Sequence, residues 1–497
     1  MVQGHARARR RDRRVSGAKA AALALVAGLL HTAAFAPTGA WWLQIAALAL
    51  LFAVAEAATP RRAALAGALF GFGWLASGLW WLHISMHQFG GIPWVAAALA
   101  VGLLAAFLSG YYALALGLAA RWIAPGRRRV LAFVPAWLLA ELARATWFSG
   151  FPWIASGYAH SVGPLAGWAP WVGVYGICAL AALAAAGLVW LRRGTLAWAV
   201  PALLIPLAGL LLPQEFTTST GRLAVSLVQP SIPQDQKFDP ERFSANLETL
   251  AGLIESARGR VVITPESVVP LPLAELDRAT LERLSRPERP ALLGTFLGNE
   301  HDGFINSVVA LGSDYHYGKH HLLPFGEFIP PGFGWFVHAM NIPLDDQARG
   351  DHQRPWAVAG QRLRPLICYE DLFGEDVVQS SVSDSGPLAA TMFVNVSNLA
   401  WFGTVMIQDQ HLQFSQMRAR EFQRPVVRST NTGATAVVDH RGLVTARLPP
   451  LVRGVLEAEV EGRTGTTPYA RWLAALGLWP LWGLALLALL GLRRAAS

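Results

Sequence analysis

The chain has 497 residues, 53% of them hydrophobic and only 15% charged, and carries a formal net charge of +9. Length alone suggests about three domains, but the apolar residues are unevenly spread and the membrane question comes first. The positive balance carries no nucleic-acid reading, because arginines clustered between apolar stretches account for much of it.

A bilayer core needs about 20 apolar residues in helical form. Seven such stretches fill the N-terminal part of the chain, at 17–35, 40–58, 63–86, 94–122, 129–147, 165–191 and 195–212, and an eighth lies at 472–492. Glu141 and Arg144 interrupt the fifth. Three residues apart, they share one helical face and are expected to pair structurally. The basic residues fall on alternate connections: the arginines from Arg7 to Arg14, Arg61 and Arg62, Arg127 to Arg129, Arg192 and Arg193, then Arg493 and Arg494. The intervening loops, such as "APTGA" and "HQFGGIP", have no Lys or Arg. The positive-inside rule then puts both termini in the cytoplasm, which an even number of spans requires. The basic start followed by an apolar run has the form of a signal peptide. The next apolar run follows at once without a clear small-residue cleavage site, so an uncleaved first span is expected.

Residues 1–213 are thus read as a membrane domain with seven helices, 214–468 as an extracytoplasmic domain, and 469–497 as an eighth span with a cytoplasmic tail. The middle segment is large enough to bury its own core. "RLAVSLVQ", "GRVVITPE", "PALLGTFLG", "INSVVALG", "RPLICYE" and "LAATMFVNVS" read as strands, as do the later "PVVRSTN", "GATAVVDHRG" and "GVLEAEV". "ERFSANLETLAGLIESA", "LAELDRATLERLSR" and "DQHLQFSQMRAREFQ" read as helices. Short β-branched runs between helices predict an α/β domain with its strands covered on both faces.

Two cysteines occur, Cys178 inside the sixth span and Cys368 in the extracytoplasmic domain. In an oxidising compartment Cys368 has no partner. A buried cysteine is usually a small hydrophobe, whereas a thiol nucleophile needs a base or a lowered pKa. Glu266 ends the run "VVITPE", Lys319 lies in "YGKHHLLPFGEF", and Cys368 ends "RPLICYE"; neighbouring strand ends gather at one sheet edge. The chain strongly prefers arginine, and lysine is the cation whose pKa shifts on burial. Core filler and reactive thiol both stand on these residues alone. His320, His321 and His411 lack zinc-site spacing and read as satisfied polar residues.

"TPES", "GKHHLLPFGEF" and "ICYEDLF" resemble the Glu-Lys-Cys triad of the nitrilase superfamily. "NVSNLAWFG", "HLQFSQMRAREFQRPVVRSTNTG", "FSGFPWIASGY" and "HQFGGIPW" resemble its membrane branch, the apolipoprotein N-acyltransferase family. The resemblance covers essentially the whole chain. It implies a polytopic α-helical membrane protein with eight spans, bearing an extracytoplasmic α/β domain folded as an αββα sandwich. It implies Cys368 as nucleophile, Glu266 as general base and Lys319 as oxyanion stabiliser, with Glu327 a second acid and Tyr369 and Glu370 beside the nucleophile. Two departures are visible: Phe238 stands where the family commonly has tryptophan, and Leu399 where it often has aspartate. Phe238, Phe328, Trp335, Trp401 and Phe402 are the expected substrate contacts. Phe328, Phe333, Trp335 and Phe336 offer a lid or lipid-facing loop.

The implied partners are a membrane phospholipid as acyl donor and an apolipoprotein as acceptor, with no nucleic acid, cofactor or metal. The implied setting is the bacterial inner membrane, with the catalytic domain periplasmic and the chain monomeric. A membrane-tethered amidase for a small amide would share the triad without needing eight spans. A transporter or receptor would need ionisable residues along several spans, which are nearly free of them.

Overall fold

The computed structural model describes residues 17–286, 288–329, 334, 347–351, 354–382, 386 and 388–494. The N-terminal part is helical. Among the described residues, three helices are long and apolar enough to cross a membrane: Trp94–Trp122, Arg127–Ser149 and Pro164–Arg192. Two further apolar stretches are bent pairs, Pro60–Gly78 with Leu82–Phe89 at 58° and Pro468–Leu476 with Trp479–Arg494 at 87°. Gly477 between the second pair takes φ +57°, a left-handed angle that suits glycine. Gly17–Thr32, Trp41–Ala55 and Leu196–Leu210 are shorter apolar helices. The stretches at 63–86 and 472–492, each expected as one span, are each two helices joined at a bend. Apolar composition marks a stretch as membrane-compatible but does not report where its axis bends.

Small residues set the helix spacing. A β-carbon at Gly28 would collide with the Phe70 carbonyl, so the first and third apolar helices pack with their backbones close. Helix Pro60–Gly78 opens with Thr59 as N-cap, its hydroxyl accepting from the Arg62 amide, and with Pro60 in the first turn.

The middle of the chain holds two six-stranded sheets. In chain order the strands are β1 (Thr217–Gln229), β2 (Val261–Ile263), β3 (Ala291–Asn299), β4 (Gly303–Ala310), β5 (His316–Gly318), β6 (Trp356–Val358), β7 (Gln361–Ile367), β8 (Met392–Ser397), β9 (Val426–Thr430), β10 (Ala436–Val438), β11 (Val444–Arg447) and β12 (Gly454–Gly465). One sheet runs β12-β1-β2-β3-β4-β5 and the other β11-β10-β9-β8-β7-β6. β1, β2 and β3 are mutually parallel, as are β7, β8 and β9.

The period of two along each strand decides which side chain meets which layer. Leu223, Val225 and Leu227 of β1 face Leu363, Ile367, Val394 and Val396 in the core between the sheets. Val228, Val262 and Leu293 turn outward onto Leu250, Ala251 and Ile254 of helix Pro240–Ser256. Leu366, Phe393 and Val426 turn outward from the other sheet onto Phe414, Met417 and Phe422 of helix Ile407–Phe422. The result is four layers, helix on sheet on sheet on helix.

Three differences from the sequence reading stand out. The short strands β5, β6 and β11 were not anticipated; each has only three or four residues. The stretch "LAELDRATLERLSR" divides into a 3-10 turn, Leu273–Glu275, and a helix, Arg278–Leu284, because Asp277 caps the latter through the Thr280 amide. Cys368 does not end a strand. β7 stops at Ile367, and Cys368 opens a tight 3-10 turn, Cys368–Leu372, with φ +52°.

Candidate active site

The sheet topology brings three strand ends together. Glu266 follows β2, Lys319 follows β5 and Cys368 follows β7. Glu266 is buried, and its Oε1 accepts from Asn306 Nδ2 at 2.8 Å and lies 3.5 Å from Lys319 Nζ. Its Oε2 accepts from the Asn398 amide at 2.8 Å. Asn398 follows β8, so both sheets hold this carboxylate. The approach to Glu266 needs a glycine nearby: a β-carbon at Gly294 would strike the Pro265 carbonyl.

Lys319 is 1% exposed and donates to Glu327 Oε1 at 2.6 Å. Glu327 Oε2 in turn accepts from the Leu323 amide at 2.8 Å. Burial works against the ammonium, but the Glu327 and Glu266 carboxylates outweigh it and raise its pKa, so Lys319 is a fixed cation. Burial raises the Glu327 carboxyl while Lys319 pulls it down. The Cys368 thiol is held well above its usual range, first by burial and then by the negative Glu266, with Lys319 opposing. The resting sulfur is therefore a neutral thiol within the field of both groups, and a base is required to make it a nucleophile.

The nucleophile turn is clamped from several directions. The Cys368 carbonyl accepts from Asn395 Nδ2 at 3.1 Å and from His411 Nε2 at 3.1 Å. His411 Nδ1 accepts from Arg428, which also bonds Asp371 at 3.1 Å. Burial and the adjacent Arg428 cation keep the imidazole neutral, its pKa well below 6.5. Asp371 is pushed up to about 6 by burial, with Arg428 and Ser415 opposing. Glu370 is a hub: it accepts from Tyr317 Oη at 2.9 Å and from the amides of His320, His321 and Ile367 at 2.7, 3.1 and 2.7 Å. It ties the segment after Lys319 to the turn that carries Cys368. Tyr369 donates to the Gly150 carbonyl at 3.2 Å and stacks on Trp153 and Phe151, with centroids 6.4 and 6.3 Å away. Arg144 holds those two residues in turn, donating to their carbonyls at 2.9 and 2.7 Å while pairing with Glu141 at 2.9 Å.

Comparisons with known proteins cover nearly the whole chain. The family described as apolipoprotein N-acyltransferase N-terminal domain matches residues 27–187, and the carbon-nitrogen hydrolase family matches residues 224–469. An apolipoprotein N-acyltransferase of Verminephrobacter eiseniae is 46% identical over 499 residues, covering 92% of each chain. One from Ralstonia nicotianae is 44% identical over 506 residues, covering 96% of this chain and 94% of its own. One from Bordetella bronchiseptica is 39% identical over 522 residues, covering 92% and 95%.

The chain belongs to the apolipoprotein N-acyltransferase family.

Two residues anticipated as substrate contacts of an apolipoprotein N-acyltransferase, Phe238 and Trp401, share an aromatic group. Phe238 is 48% exposed, and its ring lies 6.1 Å from that of Trp401, which meets Phe89 at 5.4 Å. Phe402 packs edge-on against Trp81 at 5.0 Å. Phe328 lies apart from this group, beside Glu327 and under the Arg349 guanidinium. Trp335, with Phe333 and Phe336, lies outside the described residues. Leu399 is 1% exposed within an apolar cluster.

Sequence reasoning missed the amides Asn306, Asn395 and Asn398, the Asp371–Arg428–His411 group, and Lys237. One signal pointed to the last of these. Lysine occurs three times in the chain, and Lys237 and Lys319 are two of the three.

Proposed function

We propose that this protein transfers an acyl chain from a membrane phospholipid, through a Cys368 thioester, to the α-amine of the N-terminal diacylglyceryl-cysteine of an apolipoprotein. The observation that carries the proposal is the meeting of Glu266, Lys319 and Cys368 at three strand ends, in a chain whose relatives bear that name. In this reading residues 1–213 and 469–497 form eight membrane crossings with both termini cytoplasmic. Residues 214–468 form the periplasmic catalytic domain, and the protein acts as a monomer in the inner membrane.

The reaction has two halves. Glu266 takes the Cys368 proton, and the thiolate attacks the ester carbonyl of the phospholipid. Lys319 stabilises the oxyanion as the sp³ centre forms, together with a backbone N–H near Tyr369. The C–O bond breaks, Glu266 returns the proton to the leaving oxygen, and a lysophospholipid departs. The acceptor amine then attacks the thioester and gives its proton to Glu266. The C–S bond breaks, and the thiolate is reprotonated. Splitting the transfer through a covalent intermediate makes each step easier and gives ping-pong kinetics. Glu327 fixes Lys319, and Glu370 fixes the turn. Phe238, Trp401 and Phe402 offer apolar surface to acyl chains.

A small-amide hydrolase would use the same three residues, but it has no need of the N-terminal family domain matched at 27–187. The test is purified protein with phospholipid carrying an isotope-labelled acyl chain and a diacylglyceryl peptide acceptor. Label on the peptide α-amine supports transfer. Label found only as free fatty acid, with turnover of small amides, refutes it.

A further inference from the structure

Glu266 is contacted by two lysines, Lys319 at its carboxylate and Lys237 at its backbone carbonyl. Lys237 Nζ donates to the Glu266 carbonyl oxygen at 3.1 Å and to Ser267 Oγ at 2.9 Å. The side chain is 3% exposed. Burial pushes its amine down to about 7, with Glu266 pulling the other way. Placing a lysine amine where burial so disfavours its charge calls for a specific return, and its two bonds show what it grips.

It grips a strained corner. Ser267 has φ +42°, in the left-handed region that side-chain-bearing residues rarely adopt. Such a residue persists only where its surroundings over-determine it. The nucleophile is built the same way. Cys368 has φ +52°, and its carbonyl is tied by Asn395 and His411. Base and nucleophile each stand at a left-handed corner, and a buried side chain holds each by its carbonyl. Lys237 ends the short helix Gln234–Lys237, whose first residue bonds Asn398 Nδ2 at 2.8 Å. The Asn398 amide in turn holds Glu266 Oε2. One four-residue element therefore reaches Glu266 at its carbonyl directly and at its carboxylate through Asn398.

We propose that Lys237 is a positioning residue for the base: it clamps the Glu266–Ser267 corner so that the Glu266 carboxylate stays aimed at the Cys368 thiol. This rests on the assignment of Glu266 as base. Lysine suits the place because a compact ammonium on a flexible stem serves two close acceptors, where a planar guanidinium demands a wider fork.

The test is the rate at which iodoacetamide alkylates Cys368 in the full-length protein in detergent, which needs no lipid. Fully buried Cys178 serves as the internal reference. K237M is expected to lower both this rate and phospholipid acylation of Cys368 about ten-fold, as a displaced catalytic group does, with KM for phospholipid unchanged. In an E266Q background K237M should cause no further loss. S267A, which removes one of the two acceptors, should cost about three-fold. K237R, which keeps the cation, should recover part of the K237M loss. Folded K237M with wild-type rates, or an equal loss in the Glu266 and E266Q backgrounds, overturns the role of Lys237 while leaving Glu266 as base. Unchanged alkylation in E266Q alone overturns the base assignment and this inference with it. If K237M lacks the wild-type unfolding transition, S267A decides: a drop supports the clamp, and no change overturns it.

Discussion

The sandwich and the helical part both bury multiply bonded polar groups, but they differ in what those groups reach. In the sandwich Glu266, Lys319, Glu370 and Asp371 each meet two or more partners within a few ångströms. In the helical part the buried Arg144 also has several partners, Glu141, Tyr112 and the Phe151 and Trp153 carbonyls, but its reach to the site is indirect, through Phe151 and Trp153 to Tyr369. A second contact fixes the two parts together: the Val174 amide, freed by the break at Gly173, donates to Glu421 Oε1 at 2.7 Å. The contrast separates chemistry from architecture. Changes in the sandwich should strike bond-making, and changes in the helical part should strike the wall against which the nucleophile turn rests.

The largest effect belongs to the sulfur. C368S should abolish transfer, because a serine hydroxyl with no lowered pKa is a poor nucleophile in a site built for a thiol. Label transfer in vesicles measures it, and appreciable turnover would break the assignment of chemistry to the sandwich. K319M should lower the acylation rate by roughly 10²–10³-fold, the cost of one lost oxyanion donor. Single-turnover kinetics should place the loss in the chemical step rather than in phospholipid binding.

R144M tests the other side of the contrast. It leaves Glu141 buried without its cation, which should cost roughly 3–5 kcal/mol of stability. Acylation in the surviving folded protein should fall about ten-fold as Tyr369 loses its wall. Unfolding in detergent and acylation per folded molecule are read separately. A full acylation rate would show that the helical part does not shape the site.

The smallest effect is electrostatic. His411 is neutral when folded and takes up a proton near pH 6.5 when unfolded, so the unfolded state binds more protons as pH falls through that value. Stability should therefore drop by about 0.8 kcal/mol between about pH 7.5 and 6 on this account. Asp371, pushed up to about 6, takes up a proton in the folded state over the lower part of that range and offsets about half of the His411 loss by pH 6. H411Q should flatten the upper part of the profile, measured by unfolding midpoints across that range.

What the sequence disclosed follows the same division. Apolar segments are legible because the bilayer demands long runs, and strands because β-branched residues cluster in short ones. Glu266, Lys319 and Cys368 stand just beyond such runs, but each alone was a weak signal, and it was the resemblance of their motifs to the nitrilase superfamily that singled them out. The amides of Asn306, Asn395 and Asn398 were not legible, since their partners lie far off in sequence and each looks like an ordinary turn or strand residue. The bend in the stretch at 472–492 has a signal in Gly477 and Pro480, which apolar composition alone passes over. Lys237 was hidden beside Phe238, which drew notice as an aromatic departure, while the scarcity of lysine was the better clue.

The most direct test is the mass of the Cys368 peptide after incubation with a phospholipid of one defined acyl chain and no acceptor. The account predicts a mass gain equal to that acyl group, matched by release of lysophospholipid, lost on addition of the diacylglyceryl peptide and absent in C368S. Transfer of label to the acceptor with an unmodified Cys368 peptide would contradict it.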